Sequence, residues 1–175
     1  MKIAVITSGF LPVPATRGGA VENLIVNLLN ENEKQNDIRF EIISVYDKSA
    51  EIESQKYKRT SFKFIKTSKI IEFLDKTIFW MAKNVLKKKN SQSFRYILQR
   101  LCYLNECSRI LKNNNYDKVL LENHPTQFLA LKWRENYIKY KGRYFYHCHN
   151  EFPGTYGCLE VIKNTEKIIC VSKYI

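Results

Sequence analysis

The chain of 175 residues has 29 basic and 17 acidic side chains, a formal charge of +12 and 45% hydrophobic residues, which suits one globular domain with its own core. No apolar run approaches the ~18 residues of a membrane-spanning helix, and the start lacks the pattern of a secretory signal peptide, so we expect a cytoplasmic protein. The five cysteines are irregularly spaced without a C-x-x-C pair, and we interpret them as reduced thiols rather than a disulfide scaffold or zinc ribbon.

The predicted elements alternate between strands and helices. Residues 2–7, "KIAVIT", are a continuous apolar run with β-branched side chains, typical of a strand buried on both faces. Further strands are predicted at 38–46, 61–66, 117–123, 142–150 and 167–172, and helices from Val21 onward and at 68–89, 92–113 and 125–140. This order predicts an α/β fold: a doubly wound, mostly parallel Rossmann-like sheet with helices on both faces.

The loop between the first strand and the first helix ends in Arg17, Gly18 and Gly19. It is not a dinucleotide-binding fingerprint, because nine residues separate Gly9 from Gly19 and that motif needs closely spaced glycines. Two glycines at the start of a helix leave backbone N–H groups and the helix dipole available to a negatively charged ligand. The alternative is a plain tight connection, with Glu22 in the first turn complementing the dipole.

Two histidines follow the apolar strand at 142–150. His147 and His149 are two residues apart, so their side chains share one face of the strand and Cys148 lies on the other. A histidine at the carboxyl edge of such a sheet can act as a general base or hold a sugar hydroxyl, because its pKa lies near neutrality. We favour His149, which precedes Asn150 and Glu151, as the reactive residue and His147 as a structural one.

His124 follows the preceding strand and is expected to lie beside this pair. Three convergent histidines would suit zinc. No H-E-x-x-H motif or cysteine pair supports that interpretation, and we expect no metal.

The helix predicted at 68–89 has an unusual distribution of side chains. An apolar stripe comprises Ile71, Leu74, Ile78, Met81, Ala82 and Val85. The opposite side carries Lys69, Lys76, Lys83 and Lys87, with Phe73 and Trp80 among them. Lysines interleaved with large aromatics are typical of a helix that faces a membrane surface. The alternative is a surface helix whose aromatics pack under a neighbouring segment.

Taken together and in order, these motifs resemble glycosyltransferase family 4 enzymes of the GT-B fold. "MKIAVITSGFLPVPATRGGAVENLIVNL" resembles their opening, in which the first strand leads through a loop to a Gly-Gly and a following Glu. "YFYHCHNEFPG" resembles the end of their fifth strand, "IICVSKYI" a later strand before a helix, and "LLENHP" is a weaker echo of the fourth. The resemblance spans the chain and covers the N-terminal half of such enzymes.

The resemblance implies an acceptor-side domain of an enzyme that transfers a sugar from a nucleotide donor, with retention of configuration and without a metal or other cofactor. It implies His149 as the catalytic residue. The residues it implies at an acceptor and diphosphate loop are Arg17, Gly18, Gly19 and Glu22, and in the acceptor pocket His124, Asn150 and Glu151.

The donor-binding domain of the family, with its two-glutamate motif, has no counterpart in these 175 residues. We therefore expect the chain alone to be inactive, as part of a longer enzyme or as one half of a two-chain enzyme, with 68–113 as a basic helical insertion. Family enzymes often act on lipid-linked acceptors, which favours a peripheral location on the inner face of the membrane. The membrane-facing residues would be Lys69, Phe73, Lys76, Trp80 and Lys83.

Two other functions compete with this prediction. A non-catalytic subunit would recruit a separate donor domain to the membrane. A nucleic-acid-binding module is suggested by the charge alone, and because no helix-turn-helix, zinc finger or RNA-recognition motif accompanies that charge, we expect no nucleic-acid partner.

Overall fold

All six predicted strands are confirmed, each to within two residues at its ends. They are β1 (Lys2–Ile6), β2 (Arg39–Val45), β3 (Thr60–Ile65), β4 (Lys118–Glu122), β5 (Tyr144–Cys148) and β6 (Lys167–Cys170). They form one parallel sheet in the order β3-β2-β1-β4-β5-β6, in a computed structural model that describes residues 1–35, 37–86, 95–151 and 154–172. This is the doubly wound Rossmann-like fold that the alternating pattern predicts.

Seven α-helices connect the strands within the described ranges. They are α1 (Ala20–Gln35), α2 (Lys48–Ser54), α3 (Lys69–Asn84), α4 (Ile97–Asn113), α5 (Phe128–Lys132), α6 (Asn136–Lys139) and α7 (Leu159–Lys163), with 3₁₀ turns at Pro125–Gln127 and Trp133–Glu135. None of them is long and apolar enough to cross a bilayer. The short helices α2 and α7 were not predicted. Residues 87–94, which include Lys87, the predicted end of the helix at 68–89 and the predicted start of the helix at 92–113, lie outside the described ranges.

The helix predicted at 125–140 is broken into four short pieces. Arg134 and Glu135 have φ of 57° and 56°, in the left-handed region. A right-handed helix cannot continue through two such residues, so α5 and α6 are separate. Nothing in the local sequence marks this break, because neither residue is a glycine or an asparagine.

Both faces of the sheet are covered by helices. On one face Ile25 and Leu29 of α1 pack in a buried cluster with the strand residues Val5 and Ile42. On the other face α4 to α7 contribute to a larger buried cluster that includes Ala4, Ile6, Leu104, Leu111, Phe128 and Val161. Because α4 supplies core residues, the predicted insertion at 68–113 contains one core helix.

α3 is the peripheral helix of this pair. Its predicted apolar stripe is only partly buried: Ala82 is buried and Ile71 and Ile78 are half-buried, whereas Leu74, Met81 and Val85 are 44%, 48% and 59% exposed. The other buried residue of α3 is Asp75. The Asp75 carboxylate accepts the backbone N–H groups of Leu98 and Gln99, both at 2.9 Å, and so caps the start of α4 from a different helix.

The central position of β1 creates the crevice of the molecule. The chain leaves β1 towards β2 on one side and returns to β4 on the other, so the switch point lies between β1 and β4. Tyr103 of α4 fixes that helix over the carboxyl ends of β1 and β2 by donating its hydroxyl to the Ile43 carbonyl oxygen at 2.7 Å. Gly9 makes this possible, because a Cβ there would lie 2.7 Å from the Tyr103 ring.

Candidate functional site

A glutamate and two histidines converge at the carboxyl ends of β4 and β5; we call them the Glu–His–His cluster. Glu122 is the last residue of β4 and pairs in register with His147 of β5. His147 Nδ1 lies 3.1 Å and His149 Nε2 3.2 Å from the same oxygen, Glu122 Oε2. The two rings lie on one side of the strand, with centroids 4.1 Å apart, and Cys148 is buried on the other, as the spacing predicts.

The buried Glu122 carboxylate is hydrogen-bonded by the two imidazoles of the cluster. Its side chain is only 2% exposed, and within the described ranges its ion-pair partners are His147 and His149. The hydrogen bond to Glu122 raises the pKa of His147, against the opposing effect of burial. The cluster is therefore suited to hold a proton near neutral pH at the edge of the crevice.

Sequence reasoning missed Glu122. Within "DKVLLEN" it was interpreted only as the polar end of a strand. A carboxylate at the end of one buried strand, next to a strand that ends in histidines, could have indicated its role. The sequence also assigned different roles to His147 and His149. In the structure both contact the same carboxylate, and the separate roles stay a prediction.

The Glu–His–His cluster has the composition of a metal site. One ligand atom from each residue lies within 4.8 Å of the others, and two imidazoles with one carboxylate suit zinc. The two N–H···O bonds already satisfy the carboxylate, so the cluster is consistent without an ion. The expectation of a metal-free site stays a prediction.

The glycine loop divides into an open part and a structural part. At Gly18, with φ of 77°, no atom lies within 4 Å of where a Cβ would stand, so this side of its backbone is open, while its N–H donates to the Ala15 carbonyl oxygen at 3.0 Å. At Gly19 a Cβ would overlap the Glu22 carboxylate, which is buried and accepts a hydrogen bond from Ser8 Oγ at 2.7 Å. Gly19 and Glu22 thus shape the loop from within, and Glu22 also lies in the first turn of α1, where a carboxylate complements the helix dipole.

Arg17 and the residues after β5 contact neighbouring loops. The Arg17 guanidinium pairs with Asp47 at 2.9 Å, and its side chain is 67% exposed. Asn150 donates to Asn123 Oδ1 at 2.7 Å and so joins the loop after β5 to the loop after β4, while Glu151 is exposed.

His124 follows β4 and caps the 3₁₀ turn at Pro125–Gln127. Its Nδ1 accepts the backbone N–H of Thr126 at 3.2 Å, and its ring packs against Phe10 and Tyr156. Burial, together with the nearby charge of Arg100, lowers its pKa to about 4, so His124 is neutral at pH 7. The expectation that His124 belongs to an acceptor pocket stays a prediction.

Arg100 is the second residue that sequence reasoning missed. Its guanidinium lies 3.8 Å from the centre of the Phe10 ring and within 3.3 Å of His124 Nε2, and burial lowers its pKa to about 10. Its position in the sequence could have indicated that it faces inward. Arg100 is four residues before the buried Leu104 and therefore lies on the same side of α4.

Two cavities meet at Arg100. The first, of about 550 Å³, lies between the β1–α1 loop and the ends of β2 and β3, and its lining includes Arg17 and Lys66. The second, of about 490 Å³, is lined mainly by apolar side chains, among them Ile97, Leu101 and Leu129. Phe10, Tyr96 and Arg100 line both.

The comparisons with known proteins are negative. No protein-family model matches the chain, and a search of curated proteins finds no match.

Proposed function

We propose that this chain is the acceptor-side domain of a retaining glycosyltransferase that moves a sugar from a nucleotide-sugar donor to an envelope polysaccharide or lipid-linked acceptor. The observation that carries the proposal is the Glu–His–His cluster at the ends of β4 and β5, because β4 borders the switch point of the sheet. Ligands of doubly wound domains bind at that edge. The resemblance of the loop and strand-end motifs to glycosyltransferase family 4 supports the same conclusion.

The hydrogen bonds of the cluster fix which histidine nitrogens are free to act. When neutral His149 donates its Nε2 hydrogen to Glu122, its Nδ1 carries a lone pair. That nitrogen can accept a hydrogen bond from a sugar hydroxyl and hold the sugar at the crevice. Glu122 acts through the histidines as a positioning residue, since it contacts both rings and raises the pKa of His147.

The open part of the glycine loop suits the diphosphate of the donor. Gly18 lies at the start of the 16-residue helix α1, whose first N–H groups and dipole favour a negatively charged group. Such interactions would stabilise the charge that develops on the departing nucleotide diphosphate.

The test is a sugar-transfer assay. The chain, alone and with any sequence that continues it in the same reading frame, is incubated with labelled nucleotide sugars and a membrane extract that supplies acceptor. We expect no transfer by the chain alone. With the continuing sequence we expect transfer from one donor, a loss of about 100-fold or more in His149→Ala, and a marked loss in Glu122→Gln. Glu41→Gln is the matched control, because Glu41 is also a buried strand glutamate but pairs with Tyr116 and Lys2 near the amino end of the sheet.

Near-normal transfer by His149→Ala, with the fold intact by circular dichroism, would show that the assigned role is wrong. Absence of transfer from every donor would count against the enzyme proposal as a whole.

A membrane-recruiting subunit is the second candidate, and the surface of α3 favours it. Phe73 and Trp80 are 68% and 58% exposed, next to exposed Lys69, Lys76 and Lys83. Exposed aromatics among lysines suit an anionic lipid surface. Vesicle binding without sugar transfer would favour this candidate.

A further inference from the structure

Arg100 is a partly buried cation without an acidic partner in the part of the chain that the structure describes. The basic side chains of the described ion pairs there are Lys2, Arg17, Lys34, Lys56 and Arg109, together with the cluster histidines. Removing a guanidinium from water without a counter-charge costs free energy. Arg109, on the same helix, shows the ordinary arrangement, because it is exposed and pairs with Glu106 at 2.6 Å.

His124 does not supply the missing negative charge. It is neutral at pH 7, and its Nδ1 lone pair already accepts the Thr126 N–H, so Nε2 carries the hydrogen. Arg100 Nη1 is 3.5 Å from one ring nitrogen and 3.3 Å from the other, which places it against the ring rather than on one lone pair. The Phe10 and His124 rings hold the guanidinium in place without using its set of donors.

The surroundings of Arg100 indicate which kind of anion would bind. The lining of the first cavity adds the hydroxyl of Thr67 and the charges of Arg17, Lys66 and Glu72, so that with Arg100 its basic side chains outnumber its one carboxylate. The second cavity presents Ile97, Leu101 and Leu129. A ligand that fills both must carry a charged group at their border and an apolar group on one side. The planar fork of a guanidinium matches the oxygens of a phosphate.

We propose that Arg100 binds the phosphate group of a phosphate ester whose apolar chain occupies the second cavity. The site stands on the geometry around Arg100. The identification of this ligand as the sugar acceptor rests on the proposed function, and a sugar attached to the same phosphate would extend into the first cavity.

The test measures binding without any donor sugar. Titration calorimetry on the whole chain compares geranyl phosphate with geraniol and with inorganic phosphate. We expect geranyl phosphate to bind more tightly than either fragment, and Arg100→Gln to weaken its binding about 10- to 100-fold. Arg109→Gln is the matched control, since it removes the same charge from an exposed position of the same helix, and it should leave the affinity unchanged.

Arg100→Lys is a second variant, in case Arg100→Gln does not fold, because it keeps the positive charge and loses only the planar guanidinium. Its affinity for geranyl phosphate should lie between those of the wild-type chain and Arg100→Gln. Equal affinities of the Arg100→Gln and Arg109→Gln variants would overturn the proposal. Geraniol binding as tightly as geranyl phosphate would overturn the phosphate contact, and inorganic phosphate binding as tightly would overturn the apolar half. Tight binding of geranyl phosphate without sugar transfer in any assay would support this site and count against the proposed function.

Discussion

Gly9 and Gly18 have almost the same φ, 76° and 77°, but different surroundings. An alanine at either position carries the cost of a left-handed backbone, about 1 kcal/mol. At Gly9 the added methyl group would also press on the Tyr103 ring, which is fully buried and anchored to the Ile43 carbonyl, for about 1–3 kcal/mol more.

We therefore expect Gly9→Ala to lower the free energy of unfolding by about 2–4 kcal/mol and Gly18→Ala by about 1 kcal/mol, measured by urea denaturation. Equal losses would mean that α4 shifts easily and that the Tyr103 anchor is weak.

His124 should make the protein sensitive to mild acid. Its pKa is about 4 in the folded chain against an ordinary value of 6.5, so the unfolded chain binds more protons between these values. The contribution of neutral His124 to the free energy of unfolding is fully present above pH 6.5. It is lost as the pH falls towards 4, and the loss is on the order of 3 kcal/mol at most.

The matched variant is His124→Asn, whose side-chain oxygen can still accept the Thr126 N–H. Its unfolding free energy, measured from pH 7 to pH 5, should fall less steeply than that of the wild-type chain. Parallel pH profiles for the two proteins would contradict the assignment.

At the scale of elements, α3 gives the most direct test of the membrane hypothesis. We expect Lys69→Glu, Lys76→Glu and Lys83→Glu together to reduce sedimentation with anionic vesicles at least several-fold, because about 1 kcal/mol per lysine is lost. The control carries the same charge change on the exposed lysines Lys112, Lys141 and Lys163. An equal reduction in both variants would indicate attraction by net charge rather than by α3.

The strands were predictable and parts of the helices were not. After a first lysine, β1 has four consecutive aliphatic residues and β4 has three, which is the pattern of strands in the centre of a sheet. β2 mixes apolar with polar residues, and its strand was still predictable from Phe40, Ile42, Ile43 and Val45. The break between α5 and α6 depends on the left-handed Arg134 and Glu135, which tertiary contacts impose. The strand order and the burial of Asp75 likewise depend on contacts between distant segments.

The candidate site was predictable in part for the same reason. The spacing of His147 and His149 places them on one face without knowledge of the fold. Glu122 becomes part of the site only through the register of β4 with β5, and Arg100 only through the packing of α4 against Phe10. Local sequence patterns thus predict on which face of a strand or helix a side chain lies. The residues that it contacts across the fold depend on the strand order and on the packing of the helices.

At the scale of the whole molecule, β6 is the weak edge of the sheet. All four of its residues are exposed, and Ile168, Ile169 and the following Val171 are 47%, 46% and 50% exposed. An exposed apolar edge strand is a template for pairing with another chain. We expect concentration-dependent self-association of the chain in sedimentation-velocity experiments.

Ile169→Lys should shift the sedimentation profile towards monomer. The control is Ile52→Lys, because Ile52 is 60% exposed but lies on α2. A monomeric wild-type chain at all concentrations, or an equal effect of both substitutions, would show that β6 does not mediate association.

The central place of β1 also sets an order for folding during synthesis. β1 can pair with β2 once some 45 residues exist, but Ile3 pairs with Lys118, so its other side stays unpaired until β4 has been made. Contacts between such distant segments form late because the intervening chain must first be ordered. The crevice between β1 and β4 consequently assembles late, and one side of the central strand stays unpaired in the nascent chain until β4 has been made.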